Sequence, residues 1–154
     1  MIGQNLAELL IREGFEVACL DRIKMPDTIR PWWQGIVDVV DQERFLGVCK
    51  ELNPGYVVHL AAECGVTAPQ TLEEYFTNTV GVENVCEAAH SIPSIQRVLF
   101  TSSQTVCRVG YQPEHSQDYC PESVYGESKV LGEQIVRREN GGGKVWTIVR
   151  PTTV

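Results

Sequence analysis

The chain has 154 residues, of which 43% are apolar and 21% charged, enough for one domain with a substantial core. Its net charge of −7 disfavours nonspecific binding to nucleic acid or to an anionic membrane, so any phosphate it holds must be met by backbone N–H groups or single basic residues. No apolar run reaches the roughly 18 residues of a membrane span. The stretch after Met1 is amphipathic, carries Glu8 and lacks a basic leader region, so a signal peptide is not expected. Cys19, Cys49, Cys64, Cys86, Cys107 and Cys120 form no C-x-x-C pair, and no His stands at zinc-finger spacing. They read as reduced thiols acting as small hydrophobes, with no metal site, in a cytoplasmic protein.

Apolar residues at helical spacing predict a helix over 3–13, which Gly14 stops. A β-rich run follows from Phe15 to Leu20 and ends at Asp21. Residues 22–34 read as a loop with Pro26, Pro31, Trp32 and Trp33. The two indoles suit stacking on a ring, loop packing or a partner contact equally well. Ile36–Val39 reads as a strand. Asp41 caps a helix that runs through Leu52 and ends at Asn53-Pro54-Gly55. Tyr56–Leu60 is almost purely apolar, as in a parallel strand buried on both faces. A helical stretch over 72–90, with a break near Thr77, leads to a strand over 97–102. A polar loop with Gly110, Pro113 and Pro121 follows. Then come a long helix over 122–140, a glycine linker over 141–143 and a last strand over 145–149. Alternating strands and helices predict an α/β fold, a doubly wound parallel sheet of Rossmann-like kind.

Tyr125 and Lys129 lie four apart on a predicted helix and project from one face. An unperturbed Tyr, with a pKa near 10, is a poor base at neutral pH, and a neighbouring ammonium lowers that value. Such a Tyr exchanges a proton with a substrate hydroxyl or carbonyl. The competing reading is a surface helix with a chance Tyr and Lys. Ser103 shifts the balance. It ends an apolar strand, where ligands of open α/β sheets bind, and can hold a substrate oxygen; otherwise it serves only its loop. Asp21 ends a strand 18 residues after Gly3. An acid there accepts from ribose hydroxyls and repels a 2′-phosphate, which favours NAD over NADP, whereas Arg22 beside it suits that phosphate. Asp21 read blandly is a turn residue, and Gly3 a close helix–strand contact.

In order along the chain, these segments resemble the extended short-chain dehydrogenase/reductase family, the NAD-dependent epimerase/dehydratases of nucleotide sugars. Ile2-Gly3 resembles the end of the family's Gly-x-x-Gly-x-x-Gly turn. Asp21, with Arg22 beside it, resembles the ribose-binding acid, and Asp38-Val39 the pair that contacts adenine. His59-Leu60-Ala61-Ala62 resembles the strand-end turn against the cofactor. Asn78 with Gly81 resembles the Asn-x-x-Gly helix. Thr101-Ser102-Ser103 resembles the catalytic hydroxyl strand, and Tyr125 with Lys129 the catalytic pair. Ile148 to Thr153, with Pro151 and Thr152, resembles the strand lining the nicotinamide side.

The resemblance implies NAD as cofactor, a nucleotide-sugar substrate and a homodimer. Ser103, Tyr125 and Lys129 would be catalytic, with Lys129 lowering the Tyr125 pKa. It implies hydride transfer from a sugar carbon to NAD, then its return to the other face of a keto intermediate, as in an epimerase. The alternatives are a reductase or dehydrogenase of another alcohol, and a catalytically inactive NAD-binding relative. Gln104 and Thr105 stand where 4,6-dehydratases of the family carry Asp-Glu, so that reaction is not expected. Cys107 stands where many relatives have Tyr. Relative to the family pattern, residues 1–154 read as a partial NAD-binding domain, without the first strand and the substrate region. Weak or no NAD binding by this polypeptide, and poor stability alone, are therefore expected.

Overall fold

The structure, a computed structural model, describes residues 2–65 and 71–152. Met1 and Thr153, which belong to runs singled out in the sequence, lie outside them. Helix α1 (Ile2–Arg12) is followed by strands β1 (Ala18–Asp21) and β2 (Trp33–Ile36), helix α2 (Gln42–Leu52) and strand β3 (Tyr56–His59). A 3-10 segment (Leu72–Asn78) leads into helix α3 (Val80–Ser91) and strand β4 (Arg97–Thr101). A short 3-10 turn (Gln104–Val106), helix α4 (Val124–Glu139) and strand β5 (Val145–Val149) complete the order.

Local hydrogen bonds fix most boundaries. Gly14, at φ +85°, ends α1: its N–H donates to Ile11 O and that of Phe15 to Leu10 O, the two bonds of a left-handed helix stop. Phe15 is thus spent on the turn, and this strand begins at Ala18 rather than Phe15 as the sequence predicts. Asp41 caps α2 by accepting from Arg44 N, and Asn53 closes it at φ 47°. The break expected near Thr77 is the passage from the 3-10 segment to α3.

Among the described residues all strand pairs are parallel, in two sheets of order β1-β2 and β3-β4-β5. Among the described residues, no strand pairs with both β1 and β3. The predicted strand at 36–39 lies three residues earlier, at Trp33–Ile36. Parallel pairing runs from Ala18↔Trp33 to Asp21↔Ile36 and stops where β1 stops. Strand β3 is not buried on both faces as its apolar run predicts: Tyr56 is 60% and Val58 40% exposed. The core unites Phe45 and Cys49 of α2, Val85 and Ala89 of α3, Val98 and Phe100 of β4, and Ile135 and Val136 of α4. Trp33 packs against this core, whereas Trp32 is 64% exposed. Among the described residues, no helix is long and apolar enough to cross a membrane.

Candidate functional site

Because β1, β3, β4 and β5 pair in parallel, their carboxyl ends mark one edge of each sheet. Asp21, Leu60-Ala61-Ala62, Ser103 and Pro151-Thr152 all follow or end those strands, the edge where open α/β sheets take ligands. The start of α1 approaches the same region: a Cβ on Gly3 would stand 3.5 Å from Leu60 Cδ1.

Ser103 caps the 3-10 turn after β4. Its Oγ accepts from Thr105 N at 3.2 Å and from Thr105 Oγ1 at 2.9 Å, which leaves its own proton to donate. Helix α4 is capped by Ser123, whose Oγ accepts from Gly126 N at 3.0 Å. A Cβ on Gly126 would collide with the Thr105 carbonyl oxygen, so only glycine lets the first turn of α4 settle on the Ser103 turn. That approach brings the Tyr125 phenol beside Ser103, close enough to act on its pKa.

Burial, then the nearby Cys64 thiol, pushes the Tyr125 phenol up to about 12, against the opposing hydrogen bond from Ser103. This corrects the expectation that Lys129 lowers it. The Lys129 ammonium donates to Thr101 O at 3.1 Å and stands 5.8 Å from the centre of the Tyr125 ring. Lys129 is itself buried, and that burial lowers its own pKa. Desolvation of the phenol therefore governs its pKa.

Asn78 is buried behind these groups. Its side chain accepts from Glu63 N and donates to Glu63 O and Ser128 Oγ, tying the turn after β3 to α4. His59, ending β3, is driven down to about 3 by burial and then by Lys129, so it is neutral at neutral pH. Among the described residues, Thr101 Oγ1 and Ser102 Oγ are buried without partners, beside a cavity of about 20 Å³ also lined by Lys129 and Glu133. That volume suits one water rather than a ligand.

Asp21 is exposed and accepts from Ile23 N at 3.2 Å. Arg22 is engaged: its Nη2 lies 3.6 Å from Glu63 Oε2. Asp38 accepts from Val40 N, while Val39 is a core residue whose carbonyl takes a 2.8 Å bond from Asn84. A Cβ on Gly81 would press to 2.8 Å of Val39 Cγ1, so that glycine serves the helix contact with Val39. Gln104 N donates to Pro151 O at 3.2 Å and joins the ends of β4 and β5, while Thr152 beyond is exposed.

The sequence reading missed Glu63, Cys64 and a buried ionic cluster. Arg150 donates to both oxygens of Glu133 at 2.7 Å, and Tyr119 OH donates to Oε2 at 2.9 Å. Burial would raise the Glu133 carboxyl, but hydrogen bonds, chiefly from Arg150, hold it below the usual range. Glu133 lies four residues after Lys129, and that spacing was the one available signal. The arrangement can position an oxygen at Ser103, exchange a proton at Tyr125, and offer Asp21 and the start of α1 to a ribose and a phosphate. It fits a dinucleotide.

Solved structures share this architecture. A UDP-glucose 4-epimerase from Brucella ovis, in complex with NAD, matches with a TM-score of 0.84 and 24% identity, over 97% of this chain and 48% of its own. A short-chain dehydrogenase/reductase superfamily protein from Agrobacterium tumefaciens, with bound NAD, matches with a TM-score of 0.81 and 26% identity, over 97% and 45%. A UDP-glucose 4-epimerase from Thermus thermophilus, in complex with NAD, matches with a TM-score of 0.79 and 25% identity, over 97% and 51%. The chain thus spans about half the length of the structures it matches. No curated protein matches its sequence. The family described as NAD dependent epimerase/dehydratase matches residues 1–154, and the chain belongs to that family.

Proposed function

We propose that residues 1–154 are a partial NAD-binding domain of an epimerase-type enzyme acting on a nucleotide sugar. The observation that carries this reading is the meeting of Tyr125 with Ser103 across the Gly126–Thr105 contact. NAD, when bound, supplies the hydride acceptor and a cationic ring. Asp21 would hold the adenosine ribose, Asp38 would face adenine, and the α1 start would meet the pyrophosphate. Thr105 donates to Ser103 twice, so the one Ser103 proton, directed at Tyr125 in this structure, is what the residue would turn to a substrate oxygen. With a pKa near 12, Tyr125 holds its proton at neutral pH and is ready as an acid. Its use as a base requires positive charge beyond that of Lys129, which the cationic ring of bound NAD would supply. The likeness to UDP-glucose 4-epimerases supports a uridine-nucleotide sugar as substrate.

The test uses a polypeptide that carries this chain at the length of its relatives. It is incubated with NAD and a panel of nucleotide sugars, and products are read by NMR alongside absorbance of reduced NAD. Inversion at one sugar carbon without net NADH is the expected result. A keto product with stoichiometric NADH would replace it with the dehydrogenase reading. NAD binding without turnover of any sugar would indicate an inactive relative.

A further inference from the structure

All six cysteines are free, and two of them stand side by side. Cys107 and Cys120 are partners in an isolated parallel bridge, outside the named strands. Two backbone bonds hold them there: Cys120 N donates to Val106 O at 3.0 Å, and Arg108 N donates to Cys120 O at 2.7 Å. Parallel partners stand about 4.8 Å apart and turn their side chains to the same face. A disulfide needs Cα atoms about 4.4–6.8 Å apart.

The surroundings place both thiols around one point. Tyr111 donates to Asp118 Oδ1 at 2.6 Å, and Cys107 Sγ donates to Asp118 O at 3.4 Å. The Tyr111 phenol is pushed up to about 12, first by its bond to Asp118 and then by burial, and both Cys120 and Cys107 add to the rise. These thiols differ from Cys49 and Cys86, which are buried in the core; Cys107 and Cys120 are only half-buried. The bridge closes the 108–119 segment and holds the two backbones at the spacing a disulfide needs.

We propose that Cys107 and Cys120 form a site of reversible oxidation, closed by exchange with a low-molecular-weight disulfide of the glutathione class. One protein thiolate attacks a glutathione disulfide sulfur, breaking that S–S bond and releasing one glutathione thiolate. The second protein thiolate attacks the mixed disulfide at the protein sulfur and releases the second glutathione. The chain gives up two electrons and two protons, which leave as two glutathione thiols. Glutathione thiol reopens the bond by the reverse exchange, which makes the site switchable. Its closure links the turn after Ser103 to the residues just before the Ser123 cap of α4. The inference stands on the thiol geometry alone and does not rest on the proposed reaction.

The purified 154-residue chain is equilibrated in glutathione buffers of rising disulfide-to-thiol ratio, quenched with acid, alkylated, digested and mapped by mass spectrometry. A peptide linked through Cys107 and Cys120 is expected as the first intramolecular pair. It should form at a ratio at least about tenfold lower than in the same chain unfolded in urea, where register no longer holds the thiols together. Cys107→Ser and Cys120→Ser should each abolish the linkage and leave a glutathione adduct on the remaining thiol. Both thiols staying free over the range, an adduct without linkage in the unaltered chain, a different first pair, or equal linkage in urea would each overturn the proposal.

Discussion

Arg22 Nη2 lies 3.6 Å from Glu63 Oε2, a contact that joins the end of β1 to the turn after β3, which lie in different sheets. Both side chains are partly exposed, so the pair adds little stability. Its consequence is for recognition. Arg22 is the cation nearest in sequence to Asp21, and Glu63 occupies it. NAD is therefore expected to bind more tightly than NADP. Glu63→Gln should raise NADP affinity relative to NAD by about twofold to fivefold, the scale of an exposed ion pair. Titration of both nucleotides on the length-matched polypeptide measures it. An unchanged ratio would mean that Asp21 alone discriminates.

Tyr125→Phe should lower turnover of that polypeptide by about 10²–10⁴-fold, the usual worth of a positioned proton donor. NAD affinity should stay within about twofold, because the ring that Lys129 overlies is retained. Steady-state kinetics beside nucleotide titration separate the two effects. Turnover near that of the unaltered protein would remove Tyr125 from the proton-transfer role.

What the sequence made legible is what local hydrogen bonds decide. Gly14, Asp41 and Asn53 announced their helix ends because each acts on backbone groups within a few residues. The chemistry-bearing motifs were legible for the same reason, being short and in order. Strand β2 was misplaced by three residues because its register is set by Asp21, a partner far along the chain. The apolar run of β3 does not reveal that Tyr56 and Val58 face outward. The Tyr125 pKa went the other way from the expectation because spacing reveals Lys129 but not the burial of the phenol. Arg22–Glu63 and Arg150–Glu133 join residues 41 and 17 positions apart, and nothing local encodes either contact.

Glu133→Gln should destabilise the chain by about 3 kcal/mol, because it leaves Arg150 facing a neutral partner in a mostly dry cluster. Urea unfolding of the two chains measures the difference. A change below about 0.5 kcal/mol would mean that the cluster is solvated like a surface pair.

Gly126→Ala should destabilise by about 1–3 kcal/mol even though Ala is the better helix former. The added Cβ would meet the Thr105 carbonyl oxygen, and backbone on both sides must shift to relieve it. Gly47→Ala in α2 is the matched control: its Cβ meets nothing within 4 Å, so it should be neutral or stabilise by up to about 1 kcal/mol. Urea melts of the two variants should move in opposite directions. Equal shifts would refute the claim that α4 rests on the Ser103 turn through Gly126.

Acid should weaken the fold through His59. The ring is buried beside Phe100 and Lys129, and its pKa is driven down to about 3, against about 6.5 for an unperturbed histidine. Between those values the unfolded chain binds a proton at this site that the folded chain does not. Stability is therefore full above pH 6.5 and falls as pH drops, with a slope approaching 1.4 kcal/mol per pH unit for one site, about the value of one proton. Glu133, held below its ordinary value, adds a further loss only as pH falls below the usual carboxylate range. His59→Leu removes the titrating group while keeping an apolar side chain against Phe100. Urea unfolding at pH 7, 6 and 5 should then show a marked decline in the unaltered chain and a much flatter profile in the variant. Parallel declines in the two would show that His59 takes up its proton in the folded state, and that the buried neutral ring is not the source of the acid sensitivity.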